Sequence, residues 1–481
     1  METIINSIFE GAYSILSSGV EMLESVFFDS KKKEYSADFA SIGTLLSSFN
    51  HGFCLTGKKN LTCKDSFQNA MCIGGTGTGK STIVLIPSLF SMRGSFITHD
   101  PSGELFSKTS GFLKQKGYEV KVLNFANPHI SCGYNPIFRA TTSSEINKVS
   151  NMLIETTLGS GKAKDPFWSL QGKSLLTMLI SILKTKDSEY QNLYNVRQLL
   201  NQLGGSPQGV DKLFSENADP VLFSEYKSFI SHDDKLVSGV VATCKAALQL
   251  FSDDSVARVT SFDNLDFMEF RNKPTVLFIQ NSVADQKYYS VLTSLFFEQF
   301  FSFLLGRFPN DDEQDIFLLI DECSSLNLPT LPLAIANVRK HRAGAMLLLQ
   351  DYNQLIHNYG KPDADGIRAN CFLKMYFTGQ SLETCKELEQ TLGKYQYEDE
   401  EKKKTVVREL MTSNEIRTMP IDEALLICGH HLPVKAKLKP YYENITYNAY
   451  SKIPAPNMLN EDLPVSVPIL PLNVPEKVKY E

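Results

Sequence analysis

Eight residues, Gly74-Gly75-Thr76-Gly77-Thr78-Gly79-Lys80-Ser81, constrain this chain more than any other stretch. Glycines 75, 77 and 79 follow the apolar run Met71-Cys72-Ile73 and let the backbone turn tightly enough for successive N–H groups to face one anion. The run that follows, residues 82–86, reads as the opening of a helix whose positive end adds its dipole to the same oxygens. In such a loop Gly74, Gly75, Thr76, Gly77, Thr78, Gly79, Lys80, Ser81 and Thr82 form the phosphate cradle. Lys80 reaches the β- and γ-phosphates and the Ser81 hydroxyl ligates magnesium. A strand before the loop and a helix after it distinguish a nucleoside triphosphate site from an ordinary Gly-rich turn.

A phosphate loop alone leaves the reaction open, and the run Ile316–Ile320 followed by Asp321 and Glu322 supplies a second half. An apolar strand ending in two carboxylates can hold magnesium through Asp321 and polarise the attacking water through Glu322 as general base. ATP is the expected nucleotide, with Mg2+. Two further positions invite a role. Pro332 and Gly344 bracket a helix whose last turns carry Arg339, Lys340 and Arg342, which either complement the negative helix end or supply an arginine finger to a neighbouring subunit. Gln350 ends the next strand, where its amide either senses the γ-phosphate or caps the strand end.

Strands are expected at residues 52–55, 61–63, 95–98, 120–124, 275–280, 316–320, 345–350, 372–378 and 424–428. Helix-length segments separate most of them, and their continuous apolar character fits strands buried on both faces, so the fold class is α/β with a mostly parallel central sheet. Residues 142–263 break this pattern with helical periodicity alone. There Ser143 or Ser144 is expected to cap a helix ending at Gly159, and Asp165 with Pro166 opens another. Trp168, Leu175, Leu176, Leu179, Ile180 and Leu183 share a face of the latter helix, with the only tryptophan read as core. The division is therefore 1–50 as an N-terminal amphipathic helix and linker, 51–141 with 264–450 as the nucleotide domain, 142–263 as an inserted all-α domain, and 451–481 as a Pro-rich tail that wraps the domain or stays mobile.

Composition sets bounds. A chain of 481 residues, 42% hydrophobic and 21% charged, has length for a large core and a second unit. Its nine cysteines include no C-x-x-C pair, which argues against a disulfide framework or zinc ribbon and for a reducing compartment. The net charge of −6 argues against a broad basic face wrapping duplex DNA, while leaving room for a narrow basic pore. Residues 3–28 are expected to form an amphipathic helix, but Glu2, Glu10, Glu21 and Glu24 exclude a spanning segment or signal peptide there. The apolar run 289–306 carries Glu298 and Gln299 at its middle and reads as a buried core helix. The charged run 398–404, EDEEKKK, reads as a solvated loop.

GGTGTGKST, DPSGEL, the tryptophan of DPFW opening the helical insertion, LLIDE and NVRKHRAGAMLLLQDYNQL occur in that order, followed by Asn358-Tyr359-Gly360 and Asn370-Cys371. In this the chain, over about residues 50–430, resembles the TraG/TraD-type coupling proteins of conjugative type IV secretion. The resemblance implies a RecA-like motor domain that assembles as a homo-hexamer, hydrolyses ATP and pumps single-stranded DNA with its bound relaxase. It matches Lys80 and Ser81 to the Walker A positions, Asp321 and Glu322 to Walker B, Arg339 to a trans-acting arginine and Gln350 to a sensor glutamine. It also implies that residues 142–263 recognise the relaxase or another secreted effector, and that the chain works at the inner face of the bacterial plasma membrane beside a secretion channel or membrane anchor protein. Family members commonly begin with membrane-spanning helices, which are not read here, so a separate membrane partner can recruit the N-terminal helix. Ser102 stands where the family usually has lysine. The competing expectations are an FtsK/HerA-type hexameric translocase and an ATP-gated cargo adaptor without motor activity.

Overall fold

The computed structural model describes residues 35–158, 166–282, 284–399 and 404–472. The amphipathic helix at 3–28, the helix end at Gly159, the Asp165 cap and Pro475 lie outside the described residues. The chain divides into two compact units.

The larger unit, Ser41–Thr378 with Pro420–Glu481, is built on a nine-stranded sheet. In chain order the strands are β1 Ala70–Ile73, β2 Ser95–His99, β3 Glu119–Leu123, β4 Thr275–Ile279, β5 Ile316–Ile320, β6 Ala343–Leu349, β7 Leu373–Phe377, then β10 Glu423–Cys428 and β11 Val434–Lys437. Their spatial order is β11-β10-β7-β1-β6-β5-β2-β4-β3. The seven strands from β7 to β3 run parallel, and β10 and β11 close the other edge antiparallel. Every residue of β1, β2, β4, β5 and β6 is buried, as continuous apolar strands covered by helices on both faces must be.

Two expected strands are not there. Residues 52–55 contribute only an isolated bridge, Cys54 to Asn60, and residues 61–63 contribute none, because Thr62 instead caps a short helix, Cys63–Ser66, by accepting the Asp65 N–H. The helix expected between Pro332 and Gly344 ends earlier, at Asn337, and tightens into a turn at Val338–His341. Arg342 closes it in a left-handed conformation (φ 49°). Gly344 is a residue of β6, where a side chain has no room: an added Cβ would sit 2.1 Å from the Ser66 carbonyl oxygen.

Between β3 and β4 the described residues form helices and no strand. Thr142 caps the helix Ser143–Leu158 through a reciprocal pair with Glu145, one residue before the caps expected at Ser143 or Ser144. In Pro166–Leu183, Leu175, Leu176, Leu179, Ile180 and Leu183 are buried, but Trp168 is 37% exposed. It sits in the helix's first turn, where one edge packs on Gly239 while the ring stays open to solvent. The helix Gln286–Gly306 is long and apolar enough to cross a membrane by length and composition alone, yet it packs its phenylalanines inside this unit. Glu298 accepts the Thr330 N–H at 3.0 Å, and Gln299 accepts from the Tyr134 hydroxyl at 2.7 Å.

The tail wraps. Arg258 Nε donates to the Pro464 carbonyl (2.9 Å), and the Asn195 amide brackets the strap by donating to the Pro468 carbonyl (3.0 Å) and accepting the Leu470 N–H (2.9 Å).

The smaller unit comprises the described part of Met1–Ala40 with Gly379–Met419. Its hairpin pairs β8 Lys394–Asp399 with β9 Lys404–Glu409. The run 398–404, read as a loop, is therefore strand at both ends. The alternating Tyr395 and Tyr397 and the β-branched residues 405–407 carry the pairing outward into the charged tip.

Gly344→Ala is expected to destabilise the protein by about 1–3 kcal/mol in urea unfolding, since the clash is with backbone that cannot swing away. Gly366→Ala, inside the helix Lys361–Ala369 with open space at its Cβ, should instead stabilise by about 0.4–1 kcal/mol. Equal effects at the two sites would contradict the packing described.

Candidate nucleotide site

A parallel sheet delivers the ends of its strands to one edge, and β1, β6 and β5 lie side by side in that order. After β1, Gly77 and Gly79 turn at φ 79° and 88°, conformations that favour glycine, and the chain enters the helix Lys80–Ser91 through wide π-type turns. After β5 come Asp321 and Glu322, and after β6 comes Gln350. These ends line a cleft of about 690 Å³ that contains residues 76–83, Asp321, Glu322 and Gln350.

Within it, the Ser81 hydroxyl lies 3.3 Å from Asp321 Oδ2, across 240 residues of sequence. Lys80 folds back so that its Nζ donates to the Gly74 and Gly75 carbonyl oxygens, the latter at 3.1 Å. Thr78 Oγ1 also donates to the Gly75 oxygen, at 2.9 Å. Burial lowers the Lys80 pKa, while Asp321, Cys72 and Glu322 pull it back up. Asp321 behaves oppositely. Burial and then the neighbouring Glu322 push its carboxyl up from 3.8 to about 6, against the opposing effects of Lys80, the Glu322 N–H and Ser81. Glu322 itself is held at φ 50°, a left-handed turn rare for a residue with a side chain.

A hydroxyl and a carboxylate meeting at one point are hard oxygen donors. Among the described residues no group of three or more His, Cys, Asp or Glu is placed to hold a metal. The donor set fits a magnesium ion that keeps waters and shares phosphate oxygens, rather than one caged by protein alone.

Arg339 is not in this cleft. It is exposed, and its guanidinium donates to Gln68 at 3.1 Å, beside the residue that precedes β1. Arg339 and Gln350 therefore flank opposite ends of β6, whose seven residues span roughly 20 Å at about 3.3 Å each. Arg342 is engaged elsewhere, bonding Asp315 and the carbonyls of Asn310, Asp311 and Glu313. Lys340 is exposed. Gln350 is exposed within the cleft, and Asp351, not Gln350, caps the helix that follows.

Several lining residues escape sequence reasoning. Glu104 opens the helix after the DPSGE turn, where Asp100 caps by accepting the Leu105 and Phe106 N–H groups at 3.1 and 2.8 Å. That motif carried the signal. Asp422, Tyr442 and Glu443 flank the open end of the antiparallel β10–β11 pair, which no local motif announces.

The family described as "Type IV secretory system Conjugative DNA transfer" matches residues 28–465. Protein VirD4 of Rhizobium radiobacter is 24% identical over 338 residues, covering 68% of this chain and 48% of the relative. Conjugal transfer protein TraG of Escherichia coli is 24% identical over 377 residues, covering 73% and 57% respectively. The chain thus spans about half the length of such relatives. The plasmid coupling protein TrwB in complex with ADP and Mg2+ superposes with a TM-score of 0.66 at 17% identity, over 84% of this chain and 94% of that one. That likeness establishes the shared fold, a mostly parallel α/β sheet flanked by helices.

Because the Asp321 carboxyl lies above its unfolded value, the fold favours its neutral form. The ionised form therefore destabilises, with the penalty absent below pH 3.8, growing toward pH 6 and full above it. In magnesium-free protein, Asp321→Asn is expected to raise the thermal midpoint at pH 7.5, with the gain shrinking toward pH 4. A midpoint lowered at pH 7.5 would contradict the assignment.

Proposed function

We propose, since the chain belongs to the type IV secretory system conjugative DNA transfer family, that it is an ATP-hydrolysing coupling protein delivering relaxase-bound single-stranded DNA, or a protein effector, to a secretion channel. The observation that carries the nucleotide part is the 3.3 Å approach of Ser81 to Asp321, which joins a phosphate loop to an acidic strand end. The family match supports the transfer role.

In this reading residues 74–82 cradle the phosphates with backbone N–H groups, and Lys80 exchanges the two loop carbonyls it now bonds for phosphate oxygens. Ser81 and Asp321 hold magnesium, which supplies charge neutralisation when bound. Glu322 accepts a proton from the attacking water, and Gln350 contacts the γ-phosphate from the end of β6. Arg339, at the far end of that strand, serves a neighbouring subunit. The site is therefore shared between copies of a ring, a homo-hexamer in this proposal. Residues 142–263 bind the relaxase or effector, and the assembly works at the inner face of the membrane beside its channel or anchor.

Lys80→Ala should abolish ATP turnover with the fold intact by circular dichroism. Arg339→Ala should lower turnover by about three or more powers of ten, the effect of arginine fingers elsewhere. Mixing the two variants should restore part of the rate, because a mixed ring contains junctions with both residues. No recovery in demonstrated mixed assemblies would count against a shared site. Turnover should rise on adding single-stranded DNA at low salt, and an adaptor without motor activity would show no such rise.

A further inference from the structure

His99 is the last residue of β2, in register with Ile320 of β5, so it stands beside the point where the acidic pair begins. It is fully buried. Its Nδ1 lies 2.6 Å from the main-chain oxygen of Asp321. A carbonyl oxygen only accepts, so the ring carries its proton on Nδ1, and the other nitrogen, Nε2, is a buried acceptor with no partner among the described residues.

An orphaned buried acceptor is unfavourable. For packing alone, an apolar ring would serve at least as well in this place, so what the histidine specifically supplies is its one hydrogen bond. That bond falls on a particular peptide. The Asp321 carbonyl and the Glu322 N–H belong to the same plane. The N–H is bonded at 3.0 Å to Asp321 Oδ1, and Glu322 then turns left-handed at φ 50°. Holding the plane fixes the turn that aims Asp321 at Ser81 and swings Glu322 into the cleft.

We propose that His99 is a positioning residue for the acidic pair, its Nδ1–H clamping the Asp321–Glu322 peptide in the unfavourable turn that orients both carboxylates. The proposal rests on the reading of this cleft as a magnesium–nucleotide site for its consequence, but the clamp itself is readable without nucleotide.

The test compares His99→Phe, which keeps a ring and removes the donor, with His99→Asn, which restores a donor near Nδ1. In the free protein, His99→Phe should leave the thermal midpoint unchanged or raised while speeding hydrogen exchange of the backbone amides at 322–325 at least several-fold. His99→Asn should return exchange most of the way. With a fluorescent ADP analogue, affinity in EDTA should stay within about twofold for both variants. The tightening produced by magnesium should fall about tenfold in His99→Phe and recover in His99→Asn. Unchanged exchange in His99→Phe, or exchange that speeds only together with a fall in thermal midpoint, would overturn the clamp. If the unaltered protein binds no nucleotide while the exchange pattern holds, the clamp stands and the nucleotide reading fails.

Discussion

The parallel run of β1, β6 and β5 decides where the chemistry of this molecule can lie. Parallel strands must each be regained by a crossover, so their carboxyl ends collect on one edge while the returning segments cover both faces. The phosphate loop, the acidic pair and Gln350 are thereby brought to one cleft from residues about 270 apart in sequence. β6 stands between the loop strand and the acidic strand, and it is buried throughout. The same strand separates Gln350 from Arg339, so one element brings one polar group into the cleft and keeps the other out.

The electrostatics of the cleft follow from that convergence. Among the described residues Lys80 is the one cation lining it, against the carboxylates Glu104, Asp321, Glu322, Asp422 and Glu443, of which Asp422 is paired with Lys437 at 3.1 Å. Asp321 is pushed toward its neutral form and Lys80 bonds its own loop, two signs of a charge set that is unbalanced by itself. A nucleotide adds further negative charge. In the proposed reading, a divalent cation at Ser81 and Asp321 and an arginine from a neighbouring copy supply the missing positive charge.

Most of the sheet was legible because its strands are continuous apolar runs, and residues 74–82, 321, 322 and 350 were legible because they follow such runs directly. Legibility failed where tertiary context overrides local pattern. Residues 61–63 look like strand but end in a cap, since the Thr62 oxygen finds the Asp65 N–H. Trp168 looked like core because tryptophan so often is, yet at the first turn of its helix one edge meets Gly239 and the rest faces water. Gly344 looked like a helix stop and is a strand residue pressed on Ser66. Asp422, Tyr442 and Glu443 carry no motif, since antiparallel closure after β7 alone places them. His99 gave no signal because its proposed role is written in a register pairing rather than in a spacing.

Strain and charge meet at a single peptide. A left-handed residue persists only where its surroundings over-determine it. Around Glu322 those surroundings are the carboxylate of Asp321 on the N–H side, the His99 ring on the carbonyl side, and the Ser325 N–H, which donates to the Glu322 oxygen at 2.8 Å. Together with the Ser325 hydroxyl, which donates to the same Glu322 oxygen at 2.7 Å, these hydrogen bonds fix the turn before anything binds. A carboxylate oriented in advance need not be reorganised when charge develops beside it, which is how fixed groups stabilise a transition state better than water does. In the proposed function the sharp turn after β5 is thus the local cost of a site built in advance, and its hydrogen bonds come from the neighbouring strand as well as from its own.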